Sequence, residues 1–224
     1  MSINKSDYND CKINIEIEHI FPDEIQIIAN LYEKSFQNHF LGHMGHKFLE
    51  LFISEFINST DNYGYVAKFK NIPIGFILAT TIDTPFNKFY RKNFIMLVLI
   101  TVFRYFKDPF IRKHISKRQG HIYTALKALL FFLTRKSNNN GQAERVRTLV
   151  PPRLLAIAVD KNYRGLGVAN ELTLQFCTEM KGAGYKKVEL SALPWNRRAI
   201  GFYKKDGWIE EESSETSISF SRLI

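Results

Sequence analysis

The chain contains little cysteine, which argues against two classes of small stabilised domain. Only Cys11 and Cys177 occur among 224 residues. Two cysteines are too few for a disulfide framework or a cysteine-based zinc cluster. The opening stretch, MSINKSDYNDCKINIEIEHI, is polar and lacks the apolar core of a signal peptide. We therefore expect a reduced, cytoplasmic setting.

The chain also lacks a hydrophobic run of membrane-spanning length. The apolar stretch FIMLVLITVF, residues 94–103, is closed by Arg104. A helix that crosses a bilayer needs about twenty such residues. Hydrophobic residues make up 45% of the chain and charged residues 24%, which is typical of a globular protein able to bury a core.

Acidic residues are scarce in one internal segment. Residues 85–148 contain 14 Lys and Arg but 2 Asp and Glu, whereas the whole chain contains 31 and 22. The net charge of +9 therefore comes from this basic segment, and the remainder of the chain is slightly acidic. Such asymmetry indicates an anionic partner. Apolar runs at residues 94–103 and 125–133 predict two or more helices in the segment.

Outside the basic segment, strand and helix patterns alternate. Alternating or short apolar runs predict strands at residues 13–17, 63–69, 74–81, 154–159, 187–192 and 217–223. Helical spacing predicts helices at residues 22–36, at 47–57, from YRGLGVANEL to about 183, and at 197–205. Polar clusters at residues 59–62 and 70–73 predict turns.

The stretch YRGLGVANEL, residues 163–172, has little side-chain bulk just before a predicted helix. The first amides of a helix lack internal partners and carry the positive end of the helix dipole. A phosphate can bind there directly. Glycine permits unusual backbone dihedrals and close approach of a ligand, and Arg164 adds a fixed positive charge. The stretch therefore predicts an anion site.

Three phosphate-binding patterns use such glycines. The Gly-Lys-Ser/Thr of a Walker motif is absent, and the dinucleotide fingerprint would need a third glycine at Asn170. The remaining pattern is Arg-x-x-Gly-x-Ala, formed by Arg164, Gly167 and Ala169. It resembles the coenzyme A pyrophosphate loop of the GNAT acetyltransferase superfamily. The alternative is a helix start that uses its glycines only for tight packing.

Residues on both sides of this loop extend the resemblance over residues 154–208. LAIAVDKNYRG is similar to the strand and turn that precede the loop in the family, and VELSALPWNRRAIGFYKKDGW is similar to the strand and helix that follow it. Trp208 stands where the family usually has Phe. The positions in register are Asn196, Ala199, Phe202, Tyr203, Gly207 and Trp208.

The resemblance implies a mixed α/β fold. Its central sheet is mostly antiparallel and twisted, is splayed at the cofactor site and is flanked by helices. Residues 1–224 would form a single domain, with a basic helical insertion at about 85–148 like that of some bacterial GNAT proteins. Acetyl-CoA would be the acyl donor.

The resemblance also implies which residues contact the cofactor. The backbone of Ile157, Ala158 and Val159 would face the pantetheine arm in the gap between two splayed strands. Asn196 would approach the pantetheine arm or the adenine, with a helix N-cap as its alternative or additional role. The pyrophosphate would lie on Arg164, Gly165, Leu166, Gly167, Val168, Ala169 and Asn170.

Acetyl transfer to an amine requires an acid, a base and a group that stabilises an oxyanion. Tyr203 resembles the tyrosine that protonates the departing thiolate in many relatives, with a core aromatic as the alternative. A backbone amide near Val159 is the family's expected oxyanion donor. The base is not evident in the sequence. Its candidates are His39, His43 and His46 between two predicted helices, Glu189, and water alone.

The sequence thus predicts an acetyl-CoA-dependent N-acetyltransferase that acetylates a primary amine of a small molecule in a ternary complex. An amino sugar or nucleotide-linked amino sugar is the leading acceptor. The alternatives are a protein or peptide amine acetyltransferase, and a non-catalytic module that binds CoA or docks on a membrane. We expect a monomer or homodimer and no nucleic-acid partner.

The basic segment leaves four roles open. Its helices would cover the acceptor mouth, dock on an anionic membrane surface, recognise a phosphorylated acceptor, or simply pack together with a solvated basic face.

Overall fold

The computed structural model describes residues 14–37, 39–57, 59–82, 86–116 and 150–224. A seven-stranded sheet lies at the centre, and helices cover both of its faces. The strands are β1 (Glu16–His19), β2 (Asn62–Phe69), β3 (Ile72–Thr80), β4 (Arg153–Val159), β5 (Lys187–Ala192), β6 (Ile209–Ser213) and β7 (Ile218–Leu223). The helices are α1 (Ile25–Ser35), α2 (Phe40–His43), α3 (His46–Ser54), α4 (Asn87–Lys92), α5 (Phe94–Lys107), α6 (Pro109–Ser116), α7 (Val168–Gly182) and α8 (Arg197–Lys205).

The sheet has the order β1-β2-β3-β4-β5-β7-β6. Every neighbouring pair is antiparallel except β4 and β5, which are parallel. The parallel pair is joined in register only at Arg153–Glu189 and Leu154–Leu190. Beyond Leu154 the two strands diverge. The predicted mixed α/β fold, with a mostly antiparallel sheet that splays between two strands, is confirmed.

Two hydrophobic cores lie on opposite faces of the sheet, because alternate strand residues point to opposite sides. On one face, α1 and α3 bury Ile28, Leu49 and Phe52 against Phe76 and Leu78 of β3, among other residues. On the other face, α7 and α8 pack their apolar stripes on the sheet. The members of that second core include Leu172, Phe176, Tyr203, Ile77, Val159 and Phe220. Each face of the sheet therefore has its own helical layer.

The basic segment begins with three consecutive helices, of which α5 coincides with the apolar run at residues 94–103. Helix α5 buries Leu97 alone among its residues and exposes most of its other apolar side chains. Within the described ranges, none of the helices has the length and apolar character needed to cross a membrane. The second predicted helical run, residues 125–133, lies outside the described residues.

Most predicted elements are found within two or three residues of their expected ends. The turn between β2 and β3 is shorter than predicted, because Lys70 and Asn71 alone adopt positive φ angles (51° and 63°) and β3 already begins at Ile72. Strand β6 was missed. Its sequence, IEEES, is fully exposed and rich in glutamate, so it lacks the alternation of a typical strand and has Ile209 as its one β-branched residue.

Candidate functional site

The divergence of β4 from β5 opens a cleft of about 730 Å³. Residues Leu154 to Val159 line one side of it, and Ser191 to Leu193, at the end of β5, line the other. The register of β4 against β3 shifts at Leu155, which stands in a bulge between the pairs Leu78–Ala156 and Ala79–Leu154. Bulges redirect a strand next to functional sites. Here the bulge lies where β4 leaves β5.

Backbone groups at the end of β4 point into this gap. The amide of Asp160 donates to the carbonyl of Ile74 on β3 at 2.8 Å. Because successive residues of a strand direct their backbone groups to opposite edges, those of Val159 and Ile157 face the gap, whereas those of Ala158 face β3. Among the described residues, β4 has no strand partner on this edge beyond Leu154. The edge is therefore available to an extended ligand.

The turn before α7 supplies free amides at the mouth of the cleft. Gly165 and Gly167 have φ angles of 84° and 81°, in the left-handed region that favours glycine. Gly167 is the N-cap of α7, and the first helical hydrogen bond joins the Glu171 amide to the Gly167 carbonyl at 3.0 Å. The amides of the first helical turn, residues 168–170, therefore have no partner within the helix. The turn has the positive φ angles and the helix-start amides expected of an anion site, and anion binding there stays a prediction.

Two arginines reinforce the positive charge at this end. The Nε of Arg164 donates to the carbonyl of Val159 at 3.0 Å, which folds the side chain over the end of β4. Partial burial and the nearby positive charge of Arg198 lower the pKa of the Arg164 guanidinium. Arg198, on α8, lines the same cleft and was not predicted from the sequence. Two guanidiniums that repel each other form a favourable site for an anion placed between them.

Helix α8 forms the wall beside the gap. The side chain of Asn196 accepts a hydrogen bond from the amide of Ala199 at 3.2 Å, so Asn196 is the N-cap of α8 and also lines the cleft. Tyr203 lines the cleft while being 5% exposed. Burial, and then the charge of Asp206, raise the pKa of the Tyr203 phenol. The phenol is therefore protonated throughout the physiological pH range.

Asp206 locks α8 to α7. Its carboxylate accepts hydrogen bonds from Asn170 at 2.6 Å, Thr173 at 3.0 Å, Trp208 at 3.1 Å and Arg222 at 3.0 Å. The side chain of Asn170 is therefore engaged away from a ligand, which leaves its backbone amide for the cleft. Trp208 can join this network because its indole N–H donates, which a phenylalanine at this position could not do.

The cleft continues to the opposite face of the sheet. It is lined there by the end of α1 and the residues that follow, which include Lys34, Phe36, Gln37 and His39. Helix α1 packs on one face of the sheet and helices α7 and α8 on the other. Because both layers line one cleft, the cleft passes through the sheet at the gap between β4 and β5.

Comparison with known proteins agrees with this geometry. Residues 148–208 match the model of the acetyltransferase (GNAT) family. These residues contain β4, the glycine turn, α7, β5 and α8. This part of the chain is therefore similar to the GNAT acetyltransferase family. No curated protein matches the chain by sequence.

Solved structures share the GNAT fold at low sequence identity. The PaiA N-acetyltransferase of Thermoplasma acidophilum, in complex with coenzyme A, is 14% identical with a TM-score of 0.55, and the match covers 94% of this chain and 99% of that one. The ribosomal-protein-S18-alanine N-acetyltransferase of Escherichia coli is 10% identical with a TM-score of 0.53 and 94% coverage of both chains. An aminoglycoside N-acetyltransferase in complex with CoA is 12% identical with a TM-score of 0.55, and the match covers 90% of this chain and 91% of that one.

Acetyl-CoA is the acyl donor of the GNAT family, and the cleft of this chain has groups that suit it. The described residues that line the cleft include four cations and no carboxylate. A Cβ added at Gly165 or Gly167 would meet no protein atom within 4 Å, so the space beside both glycines is open to a ligand. The cations are Lys34, Arg164, Arg198 and Lys205.

The candidate bases suggested by the sequence differ in whether they line the cleft. Glu189 lies on β5 and forms ion pairs with Arg153 at 3.8 Å and Lys187 at 3.4 Å. It does not line the cleft described above, and neither does His43 or His46. His39 does line the cleft.

Sequence reasoning also missed Trp195. Its side chain is 63% exposed at the cleft, three residues before Arg198. The available signal in the sequence was a tryptophan next to a predicted N-cap. Its position at the cleft depends on the fold, which the sequence pattern does not give.

Proposed function

We propose that the chain is an N-acetyltransferase that transfers the acetyl group of acetyl-CoA to a primary amine of a small molecule. The supporting observation is the single cleft that opens on both faces of the sheet at the gap between β4 and β5. Donor and acceptor enter from opposite faces and meet in the gap, which allows direct attack within a ternary complex.

The donor lies on the face covered by α7 and α8. The backbone amides of residues 165–170, of which 168–170 have no partner within the helix, hold the pyrophosphate together with the guanidinium of Arg164. Arg198 adds a second guanidinium at that site. The edge of β4 pairs with the pantetheine arm as an added strand would. Ile157 contributes its gap-facing amide and carbonyl, and Val159 its amide, because the Val159 carbonyl accepts a hydrogen bond from Arg164. Asn196 approaches the arm while capping α8.

The acid and the oxyanion donor lie beside the gap. The amide of Val159, directed away from β3, polarises the thioester carbonyl. The phenol of Tyr203 gives its proton to the departing thiolate. Because burial raises the pKa of Tyr203, the phenol stays protonated and available as an acid throughout the physiological pH range.

The acceptor enters beside α1. A second pocket of about 320 Å³ shares Lys34 and Gln37 with the main cleft, and Arg104 lines it. The guanidinium of Arg104 lies against Gly45, whose missing Cβ makes room for it. Lys34 and Arg104 suit a phosphate or carboxylate of the acceptor, whereas Glu33 and Asp108 in the same pocket suit its amine. This mixed lining supports an acceptor with both kinds of group, such as an amino sugar linked to a nucleotide.

The rival within enzymes is an amine of a protein or peptide. Thiol release from acetyl-CoA, measured over a panel of amines, discriminates between the two. The panel contains free amino sugars, nucleotide-linked amino sugars, polyamines, aminoglycosides and peptides with free N-termini. We expect the fastest release with a nucleotide-linked amino sugar. Faster turnover of a peptide would show that the acceptor is a protein or peptide amine and not an amino sugar. Binding of acetyl-CoA with no turnover of any amine would support the non-catalytic module.

We also propose that residues 1–224 act as one domain in which the basic segment, residues 85–148, is an insertion. Support comes from α4 to α6, which follow β3 and precede β4, two strands that are neighbours in the sheet. A compact sheet would connect such strands by a short turn. Limited proteolysis should cut within residues 85–148 and leave the remaining fragments associated.

Helix α5 supports a second activity, docking on an anionic membrane surface. Ile95, Leu99 and Phe106 are 74%, 61% and 73% exposed. The helices before and after α5 in the chain, α4 and α6, carry lysines and arginines. An apolar helical face with basic flanks binds the anionic inner leaflet, which a cytoplasmic protein would meet. We expect salt-sensitive binding to phosphatidylserine vesicles that is lost in the double variant Ile95→Ser and Leu99→Ser; equal binding to neutral vesicles would contradict it.

A further inference from the structure

Three histidines lie near the end of α1, and each makes different contacts. The Nδ1 of His43 is 2.8 Å from a carboxylate oxygen of Asp108, and its Nε2 is 2.5 Å from the carbonyl of Gln37. The His43 ring also stacks on Phe110 with centroids 3.9 Å apart. Both nitrogens are therefore engaged. This contact pattern makes His43 a structural tie between the α1–α2 turn and α6.

His46 is engaged in a different way. It lies on α3, with its Nε2 3.3 Å from the Glu50 carboxylate, and its side chain is 37% exposed. It borders neither the main cleft nor the second pocket. His46 is thus a surface residue that offers a matched control for substitutions of a neighbouring histidine.

His39 differs from both. It lies in the turn between α1 and α2, where its amide donates to the Phe36 carbonyl at 2.9 Å, and it lines the main cleft on the acceptor face. Its ring meets Phe36 edge to face, with centroids 6.1 Å apart. Its Nδ1 is buried without a hydrogen-bond partner among the described residues. Buried polar atoms normally have a partner, so this imidazole is left without the fixed role that His43 has.

The surroundings of His39 keep its imidazole neutral. Burial and the charge of His114 on α6 lower the pKa of His39. The main cleft that His39 lines contains Lys34 on α1, Tyr203 and Lys205 on α8, and two arginines, but no carboxylate among its described lining residues. The adjoining pocket contains Glu33 and Asp108, of which Asp108 is paired with His43. Neutral imidazole is the form that accepts a proton.

We propose that His39 is the general base of the acetyl transfer, an inference that rests on the proposed function. The amine nitrogen attacks the thioester carbonyl carbon, the C–N bond forms and the C–S bond breaks. The proton lost by the amine passes to the His39 imidazole, and the thiolate receives a proton from Tyr203. His39 then returns its proton to solvent, Tyr203 regains one, and the products are the N-acetylated amine and free CoA.

The test compares His39→Gln with the control His46→Gln, using the best acceptor of the amine panel. We expect kcat to fall at least about 100-fold in His39→Gln, with acetyl-CoA affinity unchanged. His46→Gln should match the wild type. The pH profile of kcat/KM provides a readout that a packing role would not move. The wild type should lose activity on the acid side with a pKa below 6.5, the ordinary value for histidine, and His39→Gln should lack that step.

Chemical rescue keeps the test decisive if His39→Gln is unstable. Imidazole added to His39→Ala should restore part of the lost rate in proportion to its neutral fraction. Either of two results would overturn the assignment of His39 alone. One is an active wild type whose acidic step in the pH profile persists in His39→Gln. The other is a folded His39→Ala that added imidazole does not rescue. No thiol release by the wild type with any amine would overturn the proposed function and this inference with it.

Discussion

The two sides of the cleft present different kinds of groups. On the face of α7 and α8, the candidate anion site consists mainly of backbone amides held by positive φ angles at Gly165 and Gly167. On the face of α1, the lining consists of side chains on an irregular turn, among them Lys34 and His39. A backbone site constrains the sequence because few residues allow its dihedrals. A site made of side chains constrains the sequence less, because different residues at different spacings can form it.

The largest expected effect comes from breaking the backbone site. Gly167→Asp forces a residue with a side chain to φ 81° and puts a carboxylate where the pyrophosphate would lie. We expect acetyl-CoA affinity to fall about 1,000-fold or more, from backbone strain and charge repulsion together. Calorimetric titration measures the loss.

Gly184→Asp is the matched control for this variant. Gly184 has φ 88°, and no protein atom lies within 4 Å of its Cβ position, but it does not line the cleft. The control should be destabilised by strain and still bind acetyl-CoA. If both variants bound normally, the assignment of the loop would be wrong.

Tyr203→Phe tests the point where the two sides of the cleft meet, because it removes only the phenol hydroxyl. We expect kcat to fall about 100-fold while acetyl-CoA affinity stays the same, since a general acid acts only on the leaving group. The aromatic packing against Trp208 and Phe220 is kept, so thermal stability should change little. Unchanged turnover would make Tyr203 a core residue only.

Arg198→Ala should have the smallest effect of the three. Arg198 is exposed and is one of two guanidiniums near the anion site. Loss of one hydrogen-bonded charge costs about 1.5 kcal/mol, which weakens acetyl-CoA binding about tenfold. Arg197→Ala, one residue away but outside the cleft lining, is the control. Equal affinity in the two variants would remove Arg198 from the site.

The contrast between the two sides explains what the sequence could predict. The glycine loop, β4, α7, β5 and α8 were all predicted, because their patterns are local and the family motif covers residues 154–208. The assignment of Tyr203 and the loop residues as functional stays a prediction. Asn196 was predicted with two roles, of which the N-cap is present in the structure.

Other features depend on contacts far apart in the chain. Arg198 and Trp195 join the site only because α8 packs beside β4 and β5. The choice among three histidines required Asp108, 65 residues from His43, to engage one of them. No local pattern contains such a pair. Strand β6 was missed for the opposite reason, since an exposed edge strand has no apolar face to form a pattern.

Amide hydrogen exchange with and without CoA tests most directly whether the donor binds on the face of α7 and α8. We expect CoA to slow exchange at residues 166–171 and along β4, whose free edge it would pair with. Exchange in the turn around His39 should stay the same until an acceptor is added. Protection of the His39 turn by CoA alone, with no protection at the start of α7, would contradict the two-sided site.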